Sequence, residues 1–85
     1  MERIERSFRG ISARLARHYL LELGGEVLDE TTVEGPDWTA TLSIATVEIG
    51  PSIELTEVTV VVEGDEKTVP SLVEAFTQKA MRAGG

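Results

Sequence analysis

The sequence predicts an α+β domain, a two-layer sandwich with two helices on one face of an antiparallel sheet, in the order (β)-α-β-β-β-α. Three observations carry this expectation. Two segments, 12–23 and 68–80, repeat apolar residues at helical spacing. The stretch between them alternates apolar and polar residues as strands do. Within that stretch the alternation changes phase at matching levels on either side of Gly50-Pro51-Ser52, as expected of the two arms of one hairpin.

Residues 2–9 open the chain with Ile4 and Phe8 on one parity, which fits a short strand with one face inward; a frayed arm is the alternative. Gly10-Ile11-Ser12 breaks it, and Ser12 is placed to accept from a free N–H at a helix start. Leu15, Ala16, Tyr19, Leu20 and Leu23 then form one helical face, ended by Gly24-Gly25. Residues 26–34, with Val27, Thr31 and Val33 on one parity, read as a single strand. After the turn signal Gly35-Pro36-Asp37, Trp38, Ala40, Leu42 and Ile44 alternate with polar residues.

Past Ala45 the apolar residues move to the other parity, at Val47 and Ile49. They return as Ile53 and Leu55, then flip to Val58, Val60 and Val62. Folding the ribbon about Pro51 sets Ile49 against Ile53, Val47 against Leu55, Ile44 against Val58, Leu42 against Val60 and Ala40 against Val62. The base of the hairpin then buries Trp38, Leu42, Ile44, Val58, Val60 and Val62 on one side. The tip presents Val47, Ile49, Ile53 and Leu55 on the opposite side. A bulge or strong twist near Ala45-Thr46 and Thr56-Glu57 would achieve the same internally. A polar loop, 63–67, leads to a second helix that Thr68 caps, with Pro70 in its first turn and Val69, Leu72, Val73, Phe76 and Ala80 on its apolar face.

At 85 residues the chain is one domain, 1–85, with a core that buries about 60% of the unfolded surface. Without cysteine, disulfides and thiolate metal sites are excluded, and a single histidine excludes a multi-histidine zinc site within one chain. No metal or cofactor is therefore expected. A dimer is the natural way for so small a domain to gain buried area. An exposed apolar tip made of Val47, Ile49, Ile53 and Leu55 is the expected interface.

The net charge is −7, and it is unevenly spread. Residues 1–24 hold five arginines against three glutamates, whereas residues 25–85 hold twelve acids against three bases. Acid excess with only Lys67 and Lys79 as lysines suits a high-salt cytoplasm. The absence of an apolar run near ~18 residues and the charged N-terminus point to a cytoplasmic protein that spans no membrane.

Arg9, Arg14, Arg17 and His18 are candidates for binding an anion or nucleic acid at the start of the first helix; the plainer reading is that they balance acids on the same molecule. That stretch lacks the glycine spacing of a phosphate-binding loop. The carboxylates Glu54, Glu57, Glu63, Asp65 and Glu66 form a solvated face without calcium-loop spacing. No Ser/His/Asp arrangement is present, so no catalytic residue is assigned and the chain is read as non-enzymatic. Gly84-Gly85 is a further candidate. A tail without side chains can enter a narrow active site and have its carboxylate adenylated, then thiolated or conjugated, as in ubiquitin-like modifiers and sulfur carriers; glycine after a helix is also ordinary termination.

The run Phe8-Arg9-Gly10-Ile11, continued by Arg14-Leu15-Ala16, Tyr19-Leu20 and Leu23-Gly24-Gly25, resembles the small domain at the C-terminal part of MoaD-related proteins in archaea and thermophilic bacteria. Gly35 to Trp38, Gly50-Pro51, Leu55-Thr56-Glu57-Val58 and the closing Lys79 to Gly85 are similar as well. The resemblance implies a dimeric domain with antiparallel strands. It also implies a link to the small subunits of molybdopterin synthase, the sulfur carriers of molybdenum cofactor synthesis, and hence a protein partner in a molybdopterin or sulfur-transfer pathway. The chain is read as lacking a MoaD-type β-grasp domain ahead of this region.

Overall fold

The computed structural model describes residues 1–84. The elements run β1 (Glu2–Arg9), α1 (Ala13–Glu22), β2 (Glu26–Asp29), β3 (Thr32–Glu34), β4 (Trp38–Gly50), β5 (Ile53–Gly64) and α2 (Thr68–Gly84). The strands form one sheet in the order β1-β5-β4-β3-β2. Every neighbouring pair is antiparallel. This is the expected α+β class and order of segments, and residues 2–9 are a full strand along β5.

Helix ends form where their local chemistry places them. The Ser12 hydroxyl accepts from the Leu15 N–H at 3.0 Å and starts α1. At its other end Gly24 takes φ 101°, its N–H donates to the Leu21 carbonyl, and the Gly25 N–H donates to the Leu20 carbonyl. These two crossed bonds satisfy carbonyls that the helix leaves free, and the left-handed residue between them favours glycine. The start of α2 departs from expectation, because Asp65 in the preceding loop does the capping assigned to Thr68. Its Oδ2 accepts from the Lys67 and Thr68 N–H groups, each at 3.0 Å, and from the Thr68 hydroxyl.

Those donors hold the Asp65 carboxyl below its ordinary pKa of 3.8, the Lys67 N–H contributing most. A pKa depressed in the folded state gives stability that is complete above the unfolded value and is lost as pH falls through the folded one. Asp65→Ala is therefore expected to lower the melting temperature at neutral pH, with the gap from the parent closing below about pH 4. Thermal melts across pH check this; a gap that stays constant into acid would mean that the carboxylate is not the cap.

The segment 26–34 does not form one strand. It doubles back as the hairpin β2–β3, with Val27 paired across from Val33. The Asp29 side chain causes the reversal by accepting from the Thr31 N–H at 2.8 Å and the Thr31 hydroxyl at 3.0 Å. An aspartate that bonds two residues onward mimics a backbone turn.

One side of the sheet meets the helices. Val33, Trp38, Ala40, Leu42, Val58, Val60 and Val62 are buried there against Ala16 and Leu20 of α1 and Val69, Leu72, Val73, Phe76 and Ala80 of α2. Ile11 joins them from the loop before α1, and Ile4 and Phe8 pack at the margin. Phe76 binds the layer together through edge contacts with Phe8 (centroids 5.2 Å) and Tyr19 (6.0 Å).

Candidate interaction surface

The β4–β5 hairpin is longer than the layer that covers it. Its register matches expectation from Ala40↔Val62 through Ile44↔Val58 and Val47↔Leu55 to Glu48↔Glu54. The pairing is continuous through Ala45 and Thr46, so no bulge there produces the change of face. The change has a simpler cause: burial by the helices ends at Leu42 on β4 and Val58 on β5. Beyond that level the even parity is polar, with Thr46, Glu48, Glu54 and Thr56. The odd parity there carries Val47 and Leu55, on the sheet face away from the helices.

Two expectations are corrected at this end. Ile44 is not buried; it is 59% exposed although its partner Val58 is fully covered. The helices shelter β5 at this level but do not extend over β4. Ile49 is not paired with Ile53. The register shifts after Glu48, so that Gly50 faces Ile53 and Ile49 is the extra residue of a bulge. A chain cannot reverse on Pro51 alone; the turn takes both Pro51 and Ser52, and the bulge absorbs the odd residue.

The four tip residues therefore lie at the end of one hairpin, with Ile49 53%, Ile53 58% and Leu55 36% exposed and Val47 half-buried. With Ile44, they put several exposed apolar side chains on this arm; Leu21, Val27 and Leu28 are exposed elsewhere, on α1 and β2. The sequence pattern exposed the four, but it missed Ile44, because parity reports the face of a strand and not how far a helix reaches along it.

The basic candidates are engaged separately. Arg9 Nε lies 3.1 Å from Glu57 Oε2 across the β1–β5 pair. Arg17 donates to the Glu30 carbonyl at 2.7 Å and braces the β2–β3 turn. His18 Nε2 is 3.4 Å from Glu22 Oε1, one helical turn on, and Lys79 of α2 approaches the same carboxylate. Arg14 is exposed on α1. Arg9, Arg17 and His18 thus each face a different partner. At the opposite end of the molecule from the hairpin tip, Glu34, Asp37, Glu63 and Asp65 edge an open cleft of about 670 Å³ floored by Trp38. Among the described residues no group of three or more histidines or carboxylates is placed to hold a metal ion, and no helix is long and apolar enough to cross a membrane. Of the glycine tail, Gly84 closes α2, and Gly85 lies outside the described residues.

The fold is thus a two-layer α+β domain with a wholly antiparallel sheet, in which, among the described residues, a single strand and no β-hairpin precedes α1. The chain belongs to the archaeal MoaD-like protein family, whose match spans residues 4–85. A search of curated proteins finds no match to it. Membership links the chain to proteins related to the molybdopterin-type sulfur carriers.

Proposed function

We propose that the domain is a non-enzymatic accessory module that acts beside sulfur-carrier proteins of the molybdopterin type, and that it acts as a homodimer. Its family membership supports the pathway. The observation that carries the mode of action is the collection of exposed apolar residues at the hairpin end, where Ile49, Ile53 and Leu55 lie beyond the reach of the helices. Exposed apolar groups gathered at one end of a small acidic domain are explained by a protein surface that covers them.

Ile53→Asp is expected to raise the dimer dissociation constant about tenfold or more, because a charge then enters an apolar contact. Ile53 is exposed in the single chain, so the fold should be nearly unaffected. Sedimentation velocity over a concentration series reads the first effect and circular dichroism the second. A folded variant that sediments as the parent does, or a monomeric parent, would overturn the homodimer. The family also favours a second reading, in which the chain itself carries sulfur on Gly85. An intact mass from the native host that shows sulfur in place of one C-terminal oxygen would establish that role, and an unmodified mass under sulfur-replete growth would remove it.

A further inference from the structure

We propose that two copies of this chain join through the free backbone edge of β4, residues 43–49, so that the two sheets run into one. The inference rests on the homodimer reading and adds to the apolar tip the backbone edge beside it.

Strand β3 covers β4 only as far as Thr41, its partner being Thr32, with one further bond from the Leu42 N–H to the Thr31 carbonyl at 2.7 Å. On the same side the Trp38 carbonyl accepts from the Gly35 N–H. The even residues of β4 thus turn their backbone groups toward the β3 side, and the odd residues toward β5. Alternation carries this onward: Ile44, Thr46 and Glu48 turn both N–H and C=O outward where no strand of the described chain lies. The far side of the hairpin is different, since Gly10 already donates to the Thr56 carbonyl at 3.3 Å.

An open edge of this length is a template for another strand, and proteins ordinarily blunt such edges with lysine, proline or a covering element. Ser43-Ile44-Ala45-Thr46-Val47-Glu48-Ile49 has no lysine or proline, and Ile44, Thr46, Val47 and Ile49 are β-branched. Its bulge falls only at its far end.

A second copy is the occupant that fits. Turned antiparallel about a two-fold axis at Thr46, the segment sets Ile44 against the partner's Glu48, Thr46 against the partner's Thr46, and Glu48 against the partner's Ile44. This register uses all three outward residues of both copies. It also keeps the one charge of the segment away from its own image, so no like charges of the two segments meet directly across the joint. Val47 then lies across from the partner's Ala45 on the open face, which extends the apolar surface of the tip through the two-fold axis.

The cysteine-free chain makes the geometry directly testable. Residues facing each other as a hydrogen-bonded pair have Cα atoms about 5.5 Å apart, within disulfide reach. Mild oxidation of Thr46→Cys is expected to give a covalent dimer within the sedimenting species, whereas Thr59→Cys, inside the sheet, gives none. Thr46→Pro removes an N–H that the β4–β5 ladder does not use and is expected to sediment as a folded monomer. If the proline disturbs folding, Thr46→Lys sets two like charges face to face and reads the same contact. In the parent, the amides of Ile44, Thr46 and Glu48 should exchange at least about tenfold more slowly in the dimer than on dilution to monomer.

A folded Thr46→Pro or Thr46→Lys that remains dimeric, or a dimeric Thr46→Cys that fails to cross-link, overturns the edge joint. If Ile53→Asp then still dissociates the pair, the apolar tip alone holds it and the homodimer reading survives. A monomeric parent overturns both.

Discussion

Gly64→Val is expected to leave the domain largely unfolded, at a cost of at least ~3 kcal/mol. Gly64 is paired on both sides, with Glu2 of β1 and Trp38 of β4, so the disturbance falls inside the sheet. Its φ of 153° is a conformation that side chains resist. A Cβ there would run into the Asp37 carbonyl and approach Trp38 Cα at 2.7 Å. The carbonyl is not free to withdraw, because it accepts from the Asp65 N–H at 2.9 Å and anchors the loop that caps α2. Gly10 supplies the control. It also has positive φ, 86°, but a Cβ there meets nothing within 4 Å. Gly10→Ala should therefore cost only the backbone preference, ~1–2 kcal/mol. Urea denaturation of the two variants separates strain from collision; equal midpoints would show that the Asp37 contact is not limiting.

Phe76→Ala is the second large effect expected, at ~3–5 kcal/mol. The ring is 2% exposed and meets both Phe8 and Tyr19 edge-on, so it joins α2 to β1 and to α1 at one point. Truncation removes the buried area and leaves a void where α2, β1 and α1 meet. Phe76→Leu should recover most of the loss, since it restores bulk but not the two aromatic contacts, each worth ~0.5–1.5 kcal/mol. A fall of less than ~1 kcal/mol for the alanine variant would mean that the helices are held elsewhere.

The two helices and the register of the long hairpin were legible because they rest on local signals that agree with the global fold. Ser12, Gly24 and Gly25 mark the limits of α1 by chemistry that acts within a few residues. The alternation of β4 and β5 fixes a register that holds from Trp38 to Glu48. The β2–β3 hairpin was not legible. Val27 and Val33 share a parity whether the chain runs straight or turns between them, and the deciding bonds are the two that the Asp29 carboxylate accepts from Thr31. The capping role of Asp65 was hidden similarly, because Thr68 is an equally good cap on composition alone.

For the candidate surface, the pattern placed the tip residues outside the core but missed the exposure of Ile44 and the open edge beside it. Both depend on where β3 stops and how far the helices reach. These are lengths set by packing between elements, and no periodicity within a single strand encodes them.

The place of β1 in the sheet has a kinetic consequence. Strands β2 to β5 form a meander, each laid beside the one just made, so their closure involves short stretches of chain. β1 instead pairs only with β5, and its nearest side-chain link, Arg9 to Glu57, already spans 48 positions. During synthesis β1 must wait for β5, the last strand of the sheet, and closing so long a loop is slow relative to hairpin formation. Until then β5 lacks its outer neighbour, and the nascent domain has an open flank on each side of its central ribbon.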